Sequence, residues 1–164
     1  MSKLLKSTAL ALTMAAATLA QAQAVRTEKN MSLELANQIA AAGVAACQAG
    51  GYNVSVTVVD RAGGVRAVQR ADNAGPHTLA ASQQKAFTSA SAKNATLAMM
   101  ETAQKNPGAA NLVDIPGFLL LGGGVPVKVG NEVIGAVGIG GAPAGNLDEQ
   151  CALTALDKVK DQLK

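Results

Sequence analysis

Tryptophan is absent from this chain of 164 residues, and only Tyr52, Phe87 and Phe118 carry aromatic rings. Proteins that hold single-stranded nucleic acid stack bases on aromatic side chains, so this composition argues against that class. Histidine occurs once, as His77, and no G-x-S-x-G nucleophile elbow accompanies it. A serine-hydrolase triad therefore cannot be assembled. Cysteine occurs twice, as Cys47 and Cys151, over a hundred residues apart. Structural zinc sites use closely paired ligands, which this spacing does not offer. Charged residues make up only 15% of the chain, and no basic run occurs.

Long apolar segments are also missing beyond residue 24. Before that point, Lys3 and Lys6 precede an apolar run from Leu10 to Leu19, too short to span a membrane comfortably. Ala20-Gln21-Ala22 and Ala22-Gln23-Ala24 both offer small-x-small cleavage sites, the second being the better placed. Residues 1–24 thus read as a secretory signal peptide, with an uncleaved anchor as the alternative, and 25–164 as the mature domain. The expected location is periplasmic or secreted, with no membrane association after cleavage. Removing Lys3 and Lys6 takes Lys+Arg from 14 to 12 against 11 Asp+Glu, leaving a net charge of about +1. No nucleic-acid partner is expected. In an oxidising compartment Cys47 and Cys151 can form a disulfide, or both can remain small buried hydrophobes.

What the chain has in quantity is Ala, Val, Leu and Ile, within an apolar fraction of 49%. Ser32 can cap a helix running to Ala49, where Gly50-Gly51 ends it. Asn53 to Asp60 alternates and is rich in β-branched residues, which predicts a strand; Arg61-Ala62-Gly63-Gly64 turns it into a return strand from Val65 to Arg70. After a polar loop, Thr78 can cap a helix from Leu79 to Asn94, and Thr96 can begin another ending near Lys105. Phe118–Leu121, Val125–Val129 and Glu132–Ile139 read as three further strands, the last two joined by Gly130-Asn131. Hairpin-linked strands with covering helices imply a single α+β domain built on an antiparallel sheet.

The stretch from Val133 to Ala152 combines a glycine-rich strand, a turn and the start of a helix. Its Gly138-x-Gly140 fits the start of a dinucleotide fingerprint, but Pro143 stands at the third glycine position and no following strand carries an acidic residue. A structural bend is the better account. Asn146 or Asp148 can cap the final helix, and Asp148 and Glu149 suit the positive end of its dipole.

The same stretch, GAVGIGGAPAGNLDEQCA, resembles the C-terminal signature of the GlcG/HbpS-like haem-binding family, which is related to the C-terminal domain of PduO. VTVVDRAGGVRAVQRADNA, SQQKAFTSAS (with Ser89 where Ala is usual) and FLLLGGGVPV resemble three further motifs of that family in order. The resemblance implies a profilin-like, five-stranded antiparallel sheet with helices on both faces, haem as ligand and a homo-oligomeric state. It also raises His77 as an axial ligand, since imidazole commonly holds haem iron. The plain reading of His77 is a solvent-facing loop residue. Arg70 and Lys85 sit on family-like positions and could pair with haem propionates; an Arg70–Asp72 ion pair closing the strand exit is the rival reading for the first. Met99 and Met100 offer thioethers, although helical spacing places one of them in the core. Haem sequestration, with or without oxidative degradation, is the implied function. The alternative is a non-catalytic sensory or assembly module that binds a partner protein or small organic ligand.

Overall fold

The first helix begins where the sequence supplies its cap. Ser32 Oγ accepts a hydrogen bond from the Leu35 amide at 3.1 Å, and α1 runs from Leu33 to Ala49. Its buried residues Leu35, Ala36, Ile39, Ala40, Gly43 and Cys47 recur at helical spacing, which fixes the face it turns inward. The computed structural model describes residues 25–164, so the expected signal peptide lies outside the described residues.

A hairpin follows, β1 (Ser55–Asp60) and β2 (Val65–Arg70). Asp60 Oδ1 accepts from the Ala62 and Gly64 amides at 3.0 and 2.9 Å and so stitches the turn. Then come α2 (His77–Ala92), α3 (Thr96–Lys105), a 3-10 helix (Pro107–Asp114), β3 (Gly124–Val129), β4 (Glu132–Gly140) and α4 (Gly145–Lys158). Among the described residues the sheet has four strands in the order β2-β1-β4-β3, every neighbouring pair antiparallel.

The fifth expected strand, Phe118–Leu121, does not form. Its backbone polar groups find side chains instead of a neighbouring strand: the Leu119 amide donates to Thr88 Oγ1 at 2.8 Å, and the Leu121 carbonyl accepts from Thr96 Oγ1 at 2.7 Å. With those groups satisfied by α2 and α3, no ladder is needed there. The region between α3 and β3, irregular by sequence, holds the 3-10 helix.

Helices cover both faces of the sheet. On one face Val56, Val58, Val127, Val137 and Ile139 join α1 and the buried Cys151, Ala152 and Val159 in one core. On the other, α2 lies across β1 and β4 with a polar seam: Ser55 and Thr78 hydroxyls meet at 2.7 Å, Thr57 and Ser82 at 2.8 Å. Thr78 is therefore inside α2 rather than its cap, and its hydroxyl serves the seam. The approach of α2 is close enough that a Cβ at Gly138 would collide with the Ser82 carbonyl.

Cys47 of α1 and Cys151 of α4 are bonded to each other, with Cα atoms 5.3 Å apart. Closing a loop of 104 residues restricts the unfolded chain, by the chain-entropy account, by about 4–5 kcal/mol as an upper value. Urea denaturation of oxidised and fully reduced protein should show the reduced form unfolding at clearly lower urea. Coincident curves would mean that the bond contributes no stability.

Candidate functional site

Two of the sequence motifs meet at the end of β4. Lys85 comes from the middle of α2, Asp148 from the first turn of α4, and the loop Gly140–Gly145 joins β4 to α4. Lys85 Nζ donates to Asp148 Oδ2 at 2.8 Å and to the Ile139 carbonyl at 2.9 Å. Asp148 Oδ1 accepts from the Ala142 amide at 2.9 Å, which fixes the loop to the helix it precedes. Both side chains are almost fully buried, at 1% and 3% exposure. Burial pushes the Asp148 carboxyl above its ordinary 3.8, against the opposing pull of the Lys85 ammonium.

By sequence, Asp148 belongs to the helix terminus. It does not cap α4, whose N-cap is Ala144 without a side-chain bond; Asn146 does not cap it either. Its carboxylate instead compensates a buried cation from the opposite face of the sheet. Glu149 turns toward the start of α3, near the Leu97 and Gly123 amides, and burial raises its carboxyl too. The pairing of Lys85 with Asp148 is invisible to periodicity. The only sequence signal is the presence of both motifs, SQQKAFTSAS and GNLDEQCA, in one chain.

A cleft of about 200 Å³ opens above this pair, lined by His77, Ala81, Leu121 and the loop 140–145. His77 is the first residue of α2 rather than part of the loop before it, and it is exposed. None of the hydrogen bonds among the described residues uses its imidazole, which lies over Gly75. Arg70 is exposed as well. Its Nε donates to the Ala74 carbonyl at 3.1 Å, and Nη2 donates to the same oxygen. The loop 70–74 is thus closed by a side-chain-to-backbone fork; the expected Arg70–Asp72 pair is not among the described ion pairs. Met99 is buried, as helical spacing suggests, and Met100 is half-buried. The structure therefore brings His77 and Lys85 to one cleft and leaves Arg70 outside its lining.

Residues 31–157 match the family described as haem degrading protein HbpS-like. The chain belongs to the HbpS-like family. It is 36% identical to protein GlcG of Escherichia coli (strain K12) over 115 residues, 70% of this chain and 84% of GlcG. Among solved structures, HbpS superposes with a TM-score of 0.78 at 36% identity, over 83% of this chain and 94% of HbpS. A complex of PduOC with haem gives 0.70 at 25% identity, over 78% of this chain and 94% of that one. In this HbpS-like chain the matched span begins just before α1 and ends within α4, so it contains every strand and the Lys85–Asp148 pair.

Removing one member of a buried pair strands the other. Asp148→Asn or Lys85→Met should each destabilise by about 3–5 kcal/mol, whereas Lys85→Met/Asp148→Leu should recover much of the loss. Chemical denaturation of the four proteins checks this, and additive losses would refute it. The pH dependence has a defined sign. A carboxyl held above its ordinary value binds its proton more tightly in the fold, so its contribution is full below about pH 3.8 and fades as pH rises through the folded value. Asp148→Asn should remove that component from the pH dependence of unfolding.

Proposed function

We propose that this chain is an exported haem-binding protein that sequesters the tetrapyrrole and takes part in its oxidative breakdown. Membership of the HbpS-like family and likeness to PduOC, whose structure was solved with haem, support the ligand. The observation in this chain that carries the reading is His77. An exposed imidazole, free of hydrogen bonds among the described residues, stands at the mouth of a cleft, where it can turn a ring nitrogen toward iron.

The residues present fit such a ligand in a particular way. Pockets that enclose small molecules hold about 300–1,000 Å³, and the cleft holds about 200 Å³. A macrocycle would therefore be held by His77 at the mouth of the cleft rather than within it. Arg70 uses two of its donors on Ala74 and retains others for a propionate. Lys85 acts from below by holding the cleft floor, because its ammonium is already engaged by Asp148. Bound haem supplies the redox chemistry of its iron, and the protein supplies ligation and orientation.

The Cys47–Cys151 bond supports a periplasmic or secreted location, since disulfides persist in oxidising compartments. A profilin-like architecture is part of the same proposal, supported by the antiparallel sheet with helices on both faces. Val65 and Val68 are 46% and 45% exposed on the edge strand β2, which supports a homo-oligomer. The same surface favours the second reading, a sensory or assembly module that works through protein contacts.

Titrating the mature protein with haemin should give a saturable Soret shift, and a spectrum equal to that of free haemin at every ratio would reject the reading. His77→Ala should blue-shift the band and weaken binding by removing one nitrogen ligand. Arg70→Ala should weaken binding while leaving the band in place.

A further inference from the structure

Lys85 is the largest of the fully buried side chains among the described residues, yet it lines an open cleft. An ammonium group carries three donors. Two are taken, by Asp148 Oδ2 at 2.8 Å and by the Ile139 carbonyl at 2.9 Å. No acceptor among the described residues takes the third. A buried donor without a partner is costly, so one left over beside a cleft points to something that enters the cleft.

Size and charge narrow what can enter. Pockets that enclose drug-sized ligands hold about 300–1,000 Å³. This cleft, of about 200 Å³, suits a molecule of a few heavy atoms. Asp148 already neutralises Lys85, and the rest of the lining is Ala81, Leu121, the loop 140–145 and His77 at the rim. A small anion would bring a second negative charge up to the Asp148 carboxylate, which is unfavourable where little water screens it. A neutral molecule with a hydrogen-bond acceptor meets no such penalty. A carbonyl oxygen is such an acceptor, and the carbon it is bonded to is open to attack by an amine.

We propose that this cleft takes a small aldehyde or ketone and that Lys85 Nζ forms a Schiff base with it. The step closes without an outside reagent. Nζ passes a proton to Asp148 Oδ2, which leaves a neutral amine beside a neutral carboxyl. The amine lone pair adds to the carbonyl carbon, the C=O π pair moves to oxygen, and one N–H proton follows it to give a carbinolamine. Asp148 returns its proton to the new hydroxyl, water leaves, and the nitrogen lone pair closes the C=N bond. Ammonium and carbonyl go in; iminium and water come out, and nothing is oxidised or reduced. The floor of the cleft holds one positive and one negative charge at the start and at the end. Burial already holds the Asp148 carboxyl above its ordinary range, which favours its brief protonated state. The proposal stands apart from the haem reading, which concerns the rim of the cleft.

Propanal with sodium cyanoborohydride traps such an imine as a stable secondary amine, and peptide mapping by mass spectrometry locates it. The mature, disulfide-bonded protein is used, with short exposure to the reagents. As a plain buried ion pair, Lys85 would be the least reactive lysine of the chain. The expected result is the reverse: labelling of Lys85 roughly tenfold or more above that of the exposed Lys105, Lys160 and Lys164, as befits a positioned nucleophile. Ala81→Leu fills the cleft from α2 while leaving both members of the ion pair in place. It should abolish labelling at Lys85 and leave the exposed lysines unchanged. The wild-type measurement decides the matter even if that variant misfolds: label confined to exposed lysines, with Lys85 unmodified, overturns the proposal. Labelling of Lys85 at the wild-type rate in folded Ala81→Leu would overturn it too, because the amine would then be reached by another route.

Discussion

The interaction on which the structure depends is the ion pair between Lys85 and Asp148 at the end of β4. It is the point where the two faces of the sheet are joined, because α2 lies on one side and α4 packs with α1 on the other. An isolated ammonium at 1% exposure would be strongly disfavoured in such a setting. Asp148 and the Ile139 carbonyl compensate it, and Asp148 in turn holds the Ala142 amide. One turn along α4, Cys151 is bonded to α1. The start of α4 is thus anchored to helices on both faces, and the loop 140–145 is fixed as a consequence.

That anchoring explains the composition of β4. For Lys85 to reach the strand end, α2 must lie almost on the sheet, and a side chain at Gly138 would prevent it. Small residues recur for the same reason along the interface: Ala86 and Ala90 of α2 pack against Ala136. A sheet covered this closely leaves little interior volume for a ligand. The clefts beside α2 lie at the periphery instead, near the exposed imidazole and the half-exposed phenyl ring.

Much of the scaffold is legible in the sequence because its signals are local. Ser32, Gly50-Gly51 and the alternation through Val54–Val59 set α1 and β1 within a residue or two, and the turn at Arg61–Gly64 sets β2. The departures share one physical cause, which is satisfaction of polar groups by distant partners. Phe118–Leu121 has the composition of a strand, but Thr88 and Thr96 take its backbone groups. Thr78 has the chemistry of a cap, but Ser55 of β1 claims its hydroxyl. Asp148 sits where helix electrostatics would put a carboxylate, and its decisive partner lies 63 residues earlier. Of the candidate site residues, His77 and Lys85 meet at one cleft, whereas the carboxylate that pairs with Lys85 looks in the sequence like helix chemistry.

A peripheral site has a chemical consequence that an enclosed pocket would not have. If haem were held by the exposed His77, side chains of this chain would meet it from one side, and the iron's redox chemistry would be open to solvent on the other. In an interior site, side chains on the distal side govern which small molecules reach the metal. With His77 exposed, such control would have to come from what covers it. The exposed valines Val65 and Val68 lie on β2, the strand that leads by way of the loop 71–76 into His77, so a second copy docking on that edge would approach the open side. If both proposed readings hold, assembly at that edge would govern access to haem bound at His77, because the strand and the histidine are joined by one short loop.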